Sequence, residues 1–426
     1  MKKNLLFSWL LVCMAALSMV ACSNDDSPTP KGISLKDSYT VTRSSVLNIQ
    51  PQAHDYEGAT YRWYLTQTPN SPADSLLQET AELAFIAITP GTYALNLEVS
   101  HNGSTEEFNT EVIVQQEAKA FSPYIAKVLE YLPGVGQFVN IMPEYEAGDT
   151  PASMLAKTNA LLVGEAASMV NLGGFGGYVT FRFDHTVANM PGVCDFRIKG
   201  NAFGAASNPE PNAPFGGSCE PGVIMVAYDA NQNGVADEDE WYEIGGSAHQ
   251  SVRDEPWYAL GLKAGNDMKV IRDYEITYFR PQQETDQPAE NYIRWEDNLG
   301  NSGYRAKNMF HTQPYFPAWI EGDSYTLRGT RLPQNGIDES GQGNYFVLYA
   351  MGYGYADNYP NTDDKSAIDI AWATDDQGNK VHLPGIDFVR VYSAVNQENG
   401  WLGEASTEVA GAEDLHLLGQ TIETIN

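Results

Sequence analysis

The feature that most constrains the fold of this chain is the alternation of apolar and polar residues in many short runs. Side chains of a β-strand point to opposite faces of a sheet in turn, so a period of two predicts strands with one buried face. The candidate strands are residues 39–42, 60–65, 94–99, 108–114, 179–183, 222–228, 274–280, 345–350 and 386–392. Only residues 124–131 and 151–160 suggest helices, because the rest of the chain lacks a period of 3.6.

These runs predict a mostly β protein with two β-sandwiches in series. Residues 33–116 would form a small immunoglobulin-like sandwich, and residues 121–426 a larger, jelly-roll-like sandwich with long loops. The polar residues 115–120 would link the two. A chain of 426 residues is long enough for two or three domains with separate cores.

The chain is strongly acidic, since 25 Lys and Arg against 55 Asp and Glu give a formal charge of −30. Nucleic-acid binding requires clustered basic residues that neutralise phosphates, so this balance argues against a nucleic-acid partner. It also argues against docking on an anionic membrane through a basic patch. Because 42% of the residues are hydrophobic, the chain is not a disordered polyanion, and most of its acidic excess is expected on a solvated surface.

The first 21 residues are typical of a secretory signal peptide, with Lys2 and Lys3 ahead of an apolar stretch. Residues 17–22 then resemble a bacterial lipobox, in which the thiol of Cys22 receives the lipid. An ordinary signal peptide with an incidental cysteine is the alternative. Residues 22–32 predict a flexible acidic tether, which resembles the export signal of Bacteroidota surface lipoproteins. These features predict a protein held in the outer membrane by lipid and facing the cell exterior.

Residues 229–240 match a twelve-residue calcium loop, in which inward-facing oxygens alternate around a tight turn at Gly234. The predicted ligands are Asp229, Asn231, Asn233, the Val235 carbonyl, Asp237 and Glu240. The flanking residues are strand-like, whereas a signalling EF-hand needs helices that can reorient. We therefore expect a structural Ca²⁺ ion that stabilises the conformation of this loop. An acidic turn that mimics the pattern is the alternative.

Six aromatic residues in loop-like stretches are candidates for ligand contact, because rings beside amides and carboxylates suit a sugar or a large planar ligand. They are Trp295, Tyr315, Trp319, Tyr353, Tyr355 and Tyr359. The alternative is that these rings pack loops onto the sandwich.

The sequence has no hydrolase motif of the HExxH or Gly-x-Ser-x-Gly type. A glycosidase pair would need two carboxylates that meet in space, and such acids include Asp184, Glu220, Glu243, Asp297, Asp357 and Asp369. With 55 acids available, composition is no evidence for a pair, so we expect no catalytic residues and no enzymatic activity. Asp357, Asn358 and Asp369 are also candidates for a second ion site.

Two cysteines, Cys194 and Cys219, remain once the signal peptide and the lipidated cysteine are set aside. An oxidising compartment permits a disulfide between them, and two buried free thiols are the alternative. Separation in sequence does not reveal the distance between their Cα atoms, so both interpretations stay open.

Two parts of the chain resemble known families. Trp63 and the Pro90-Gly91 turn before Tyr93 resemble the polycystic-kidney-disease-like (PKD-like) domain of bacterial surface proteins, which implies a spacer. The larger part resembles a family of Bacteroidota cell-surface proteins through residues 172–185, 220–223, 229–244, 386–392, 400–404 and 411–415. Such lipoproteins accompany TonB-dependent uptake systems, including those for cobamides. The resemblance implies an accessory role in nutrient capture, with a TonB-dependent transporter as partner.

Three functions therefore remain open. The first is a non-enzymatic lipoprotein that binds a small molecule for uptake, with a cobamide as the leading ligand. The second is a glycan-binding or glycan-cleaving surface protein. The third is a structural or adhesive surface protein.

Overall fold

The computed structural model describes residues 32–54, 56–165, 168–205 and 212–425. The predicted signal peptide, the predicted lipidation site Cys22 and the predicted tether up to residue 31 lie outside these described residues. The described chain is mostly β, with several antiparallel sheets that form sandwich-like domains. The predicted fold class is therefore confirmed.

The strands of the N-terminal region pair with one another and enclose their own hydrophobic core. They are β1 (Gly32–Ser34), β2 (Ser38–Thr42), β3 (Leu47–Ile49), β4 (Gln52–His54), β5 (Thr60–Gln67), β6 (Pro72–Gln78), β7 (Leu83–Phe85), β8 (Gly91–His101) and β9 (Ser104–Gln115). One sheet has the order β2-β9-β8-β5-β6, while β3 pairs with β7 and β1 with β4. Trp63 on β5 is fully buried in this core with Phe85 and Leu97, so the apolar face of the alternating pattern points inward.

The strands that follow build several further sheets. They are β10 (Lys127–Leu132), β11 (Val170–Asn171), β12 (Tyr178–Ala188), β13 (Phe196–Lys199), β14 (Phe203–Gly204), β15 (Gly216–Ser218), β16 (Gly222–Ala227), β17 (Trp241–Ile244), β18 (Ile271–Phe279), β19 (Ala289–Asp297), β20 (Ser302–Lys307), β21 (Ser324–Arg331), β22 (Gly336–Asp338), β23 (Phe346–Tyr349), β24 (Ala367–Ile368), β25 (Ala373–Thr374), β26 (Gly385–Ser393), β27 (Glu408–Val409) and β28 (Gly411–Asp414). The largest sheet has the order β10-β12-β26-β16-β17-β25. Smaller sheets have the orders β20-β19-β18-β21, β14-β15-β23-β22, β24-β13-β28 and β11-β27.

The centre of the largest sheet is buried on both faces. Ile224 on β16 and Val391 on β26 face one core, whereas their chain neighbours Val223 and Tyr392 face another. A strand covered on both sides needs apolar residues at every position, which explains why residues 222–228 are a continuous apolar run.

The helices are short, and one of the two predicted from sequence is present. They are α1 (Pro151–Leu162), α2 (Ser247–Ser251), α3 (Tyr258–Ala264) and 3₁₀ turns at Glu238–Glu240, Val252–Asp254, Asp364–Ser366, Ile370–Trp372 and Gly400–Leu402. Thr150 caps α1 by accepting the Ser153 N–H, and a proline occupies its first turn, so the prediction at residues 151–160 is confirmed. The helix predicted at residues 124–131 is wrong, because β10 pairs there with β12, and this sheet pairing overrides the local pattern.

Candidate functional site

Loops from distant parts of the chain meet around a cavity of about 300 Å³. They include the loop after β10, the loop after β13, the segment around β15, the loop after β20 and the loop between β26 and β27. The side chains that line the cavity are carboxyl groups, amides, hydroxyls and aromatic rings. We call this the acid-floored cavity, and it is the candidate functional site.

The floor of the cavity carries carboxyl groups from Glu220, Glu404 and Glu408. Glu404 and Glu408 are 5% and 3% exposed, and Glu220 is partly buried. Carboxylate oxygens of Glu220, Glu408 and the buried Asp357 lie within 4.8 Å of one another. We call these three residues the acid triad. Hard cations prefer carboxylate oxygens, so the triad can hold a metal ion.

Backbone N–H groups hold the acid triad in place. Asp357 Oδ1 accepts the N–H of Asn201 at 2.7 Å and of Ala202 at 2.8 Å, and its Oδ2 accepts the Glu408 N–H at 3.0 Å. Glu220 Oε1 accepts the Ser406 N–H at 2.9 Å. These donors fix the carboxyl groups against one another, because each bond ties a side chain to a different segment of backbone.

Burial raises the pKa of every acid in this floor. Burial, together with the charge of Asp357, raises the pKa of Glu220, and burial raises that of Asp357 itself. The pKa of Glu408 is raised well above its ordinary value for the same reasons. Burial and the charge of Glu398 raise the pKa of Glu404 to about 8. At neutral pH these groups therefore retain protons or require a positive partner.

Aromatic rings stand at the mouth of the cavity. Trp401 is 47% exposed and Phe310 is 63% exposed, and their ring centroids lie 6.1 Å apart in an edge-to-face arrangement. Phe138 and His311 form a second edge-to-face pair with centroids 4.6 Å apart. Large exposed rings that pack on each other beside a polar floor offer a stacking surface to a ligand.

The six aromatic residues predicted from sequence lie elsewhere. Tyr315, Trp319, Tyr355 and Tyr359 are buried in hydrophobic cores, while Trp295 and Tyr353 are partly buried. The Tyr315 hydroxyl donates to the His311 carbonyl at 3.1 Å, so this ring supports the rim from beneath. The four buried rings pack the loops onto the sheets, which was the alternative interpretation.

Sequence reasoning missed Trp401, Phe310, Glu404 and Glu408 as site residues. The available signal was the segment at residues 400–404, where glycines on both sides of Trp401 and Leu402 adopt positive φ values of 56° and 90°. Such glycines mark a sharply turned loop that presents its side chains outward. Among the carboxylates considered from sequence, Glu220 and Asp357 do meet. Asp369 instead caps a 3₁₀ turn, and Asn358 bonds to the Met351 backbone.

The predicted calcium loop connects β16 and β17, and its polar side chains fold inward. Asp229 Oδ1 accepts the Asn233 N–H at 2.9 Å, and Oδ2 accepts the Gly234 N–H at 2.8 Å. The two oxygens of Glu240 accept the N–H groups of Ala230 and Asp237, both at 3.0 Å. Gly234 has a φ of 80°, as the tight turn requires. The donor set suits Ca²⁺, and calcium binding by this loop stays a prediction.

Cys194 and Cys219 are free, buried thiols rather than a disulfide. Cys194 belongs to the core beneath the largest sheet, whereas Cys219 packs with Ala350 and Tyr359 in a separate cluster. Because the two side chains belong to different clusters, the disulfide interpretation is not met in this structure.

Within the described residues, no helix has the length and apolar character needed to cross a bilayer. No protein-family model matches the chain, and no curated protein matches it. The chain is therefore not assigned to a family.

Two solved structures show limited similarity. A SusE-like protein is 8% identical, with 90% of this chain and 96% of that chain covered and a TM-score of 0.29. A quinonprotein alcohol dehydrogenase-like protein from Bacteroides thetaiotaomicron is 15% identical with a TM-score of 0.16. The match covers 22% of this chain and 20% of that protein's length. Neither TM-score supports an argument about function, and neither comparison points to cobamides.

Proposed function

We propose that this chain is a glycan-binding surface lipoprotein whose ligand occupies the acid-floored cavity. The observation that carries the proposal is the exposed pair of Trp401 and Phe310 beside a floor of carboxyl, amide and hydroxyl groups. A sugar ring has an apolar face that stacks on aromatic rings and a rim of hydroxyls that bonds to planar polar groups. Both kinds of group are present here within one cavity.

The size of the cavity favours a sugar over the cobamide expected from the family resemblance. Ligand sites range from ~300 to 1,000 Å³, and about 300 Å³ lies at the small end of this range. One or two sugar rings suit such a volume, whereas a corrin macrocycle with its nucleotide requires a much larger site. The exposed rings of Trp401 and Phe310 at the rim leave a surface on which a sugar ring can stack.

We further propose that binding occurs without cleavage. A glycosidase needs one protonated and one ionised carboxyl group flanking the bond, because acid and nucleophile or base have different tasks. The acid triad does not have the spacing of such a pair, because its oxygens lie within 4.8 Å of one another, closer than the ~5–5.5 Å of retaining and the ~6.5–9.5 Å of inverting glycosidases.

In this proposal Cys22 anchors the chain in the outer membrane, and residues 33–116 hold residues 121–426 away from the lipid. Ca²⁺ in the loop at residues 229–240 would stabilise the connection between β16 and β17. A TonB-dependent transporter is the proposed recipient of the captured glycan. These assignments rest on the sequence patterns.

The test is calorimetric titration of the mature chain, made soluble by Cys22→Ser, with a panel of oligosaccharides and with cobalamin. We expect a glycan to bind and Trp401→Ala to weaken it by at least about tenfold, or about 1.4 kcal/mol. Trp295→Ala is the matched control, because this ring is partly buried on β19 outside the cavity, and its loss should leave affinity unchanged.

Three results would contradict the proposal. Binding of cobalamin but of no glycan would restore the nutrient-uptake hypothesis. Release of reducing sugar would establish an enzyme. If no member of the panel binds, a structural or adhesive role is favoured.

A further inference from the structure

The described lining of the acid-floored cavity contains several acids but no lysine or arginine. Three of its side chains are carboxyl groups, from Glu220, Glu404 and Glu408, whereas no lysine or arginine is among the described residues that line it. Burial lowers the pKa of His311, so this imidazole is neutral near pH 7. The cavity therefore offers no positive partner to an anionic ligand.

The acids are also close enough to share one positive group. The oxygens of the acid triad lie within 4.8 Å of one another, and Glu220 and Glu408 of the triad face the cavity. Carboxylates at this separation repel each other in a poorly solvated site, and a cation between them removes the repulsion. An ammonium group carries three N–H donors and one positive charge, so a single ammonium can bond to several of these oxygens at once.

The surroundings of the triad favour an ammonium over a metal ion. Calcium requires six to eight oxygen ligands, several of which are usually backbone carbonyls. Here the backbone groups that reach the triad are the N–H donors of Asn201, Ala202, Ser406 and Glu408, which cannot ligate a metal. Aromatic faces at the rim attract a cation as well, because their π-electrons interact favourably with it.

We infer that the glycan bound by this cavity is an amino sugar with a free amine, its ammonium directed at Glu220 and Glu408 and its ring against Trp401. This inference rests on the proposed glycan-binding function and names the class of sugar. It excludes uronic acids, sulfated sugars and sialic acids as ligands of the cavity, because each would bring a negative charge into a cavity whose described lining has no lysine or arginine.

The experiment compares matched ligands that differ only in charge. Oligosaccharides of glucosamine and of galactosamine are titrated into the soluble mature chain at pH 6.5, each beside its N-acetylated counterpart, with an oligogalacturonate as the anionic probe. Each titration is repeated with EDTA and with added Ca²⁺. We expect one free-amine ligand to bind at least tenfold more tightly than its N-acetylated counterpart, no binding of the uronate, and no effect of EDTA.

Variants then show which side chains cause the preference for the amine. Glu408→Gln and Glu220→Gln should each lower this preference at least fivefold. Unchanged affinity of each variant for the N-acetylated ligand would show that the cavity remains folded. Glu290→Gln removes an exposed acid on β19, outside the cavity, and should leave the preference unchanged.

The outcomes separate this inference from the proposed function. If the N-acetylated or uronate ligands bind as tightly as the amines, the amino-sugar inference fails while glycan binding stands. Binding that EDTA abolishes and Ca²⁺ restores, in Asp229→Ala as well as in wild type, would assign the triad to a metal, which also overturns the inference. If the wider glycan panel fails to bind as well, the proposed function itself fails.

Discussion

Replacing Glu404 with glutamine should stabilise the protein at alkaline pH and have little effect in acid. Burial and the charge of Glu398 raise the pKa of Glu404 from 4.5 to about 8. The folded state therefore binds more protons than the unfolded state between these values, so stability falls as the pH rises across this window. A difference of about 3.5 pKa units, at ~1.36 kcal/mol each, costs the folded wild type about 5 kcal/mol above pH 8.

The glutamine side chain isolates this electrostatic cost. Glu404 Oε1 accepts the Gln137 N–H at 2.8 Å, and a glutamine Oε1 can accept the same bond without carrying a charge. Guanidinium chloride unfolding at pH 5 and pH 9, at constant ionic strength, measures the free energy of unfolding of Glu404→Gln against wild type. The variant should gain several kcal/mol relative to wild type between the two pH values.

The Glu290→Gln variant replaces an exposed acid on β19 and is the control for the loss of one negative charge elsewhere in the protein. If the difference between Glu404→Gln and wild type is equal at pH 5 and pH 9, Glu404 is ionised in the native protein. The conclusion that the buried acids of the cavity retain their protons at neutral pH would then be refuted.

Three further predictions concern other parts of the molecule. Calcium at 100 times its Kd should raise the free energy of unfolding by about 2.7 kcal/mol, and Asp229→Ala should abolish this gain; a melting temperature that EDTA leaves unchanged would contradict the calcium loop. Burial lowers the pKa of His185, but its hydrogen bonds, including one of 2.7 Å to Asp414, outweigh burial and raise it. The protonated imidazole therefore stabilises the folded state fully below about pH 6.5, and this contribution is lost as the pH rises through the folded pKa of His185. His185→Gln should destabilise the protein more at pH 5.5 than at pH 9, which thermal unfolding at the two pH values would measure. In the native mature chain with Cys22→Ser, Cys194 and Cys219 should not react with Ellman's reagent, because burial raises the pKa of both thiols. After denaturation without reductant, the reagent should detect both thiols. If the two cysteines formed a disulfide, it would detect neither.

The fold class was predictable because a strand with one buried face has alternating apolar residues in its own sequence. Tyr93, Leu95, Leu97 and Val99 on β8 are all buried, whereas Ala94 and Glu98 between them are half-buried. That periodicity can be read from the sequence without knowing the partner strand. The segment at residues 124–131 shows the limit of this reasoning, since its local pattern permits a helix and only the pairing of β10 with β12 makes it a strand.

The calcium loop and the acid-floored cavity also differ in how far apart their residues lie along the chain. Every proposed calcium ligand lies between Asp229 and Glu240, so spacing alone predicts their convergence. In the cavity, by contrast, Ser406 donates to Glu220 across 186 residues of chain, and no spacing rule connects them.

The sequence by itself determined the alternating strands, the acidic charge and the spacing of the loop at residues 229–240, and it predicted the lipoprotein signal, because each depends on neighbouring residues. Only the tertiary structure decided which aromatic rings are exposed, since Trp401 and the buried Tyr355 both lie in aromatic-containing loop segments. It also decided that Glu220, Asp357 and Glu408 share one site. The physical reason is that burial and electrostatic coupling depend on distances in space, which folding sets by bringing remote segments together.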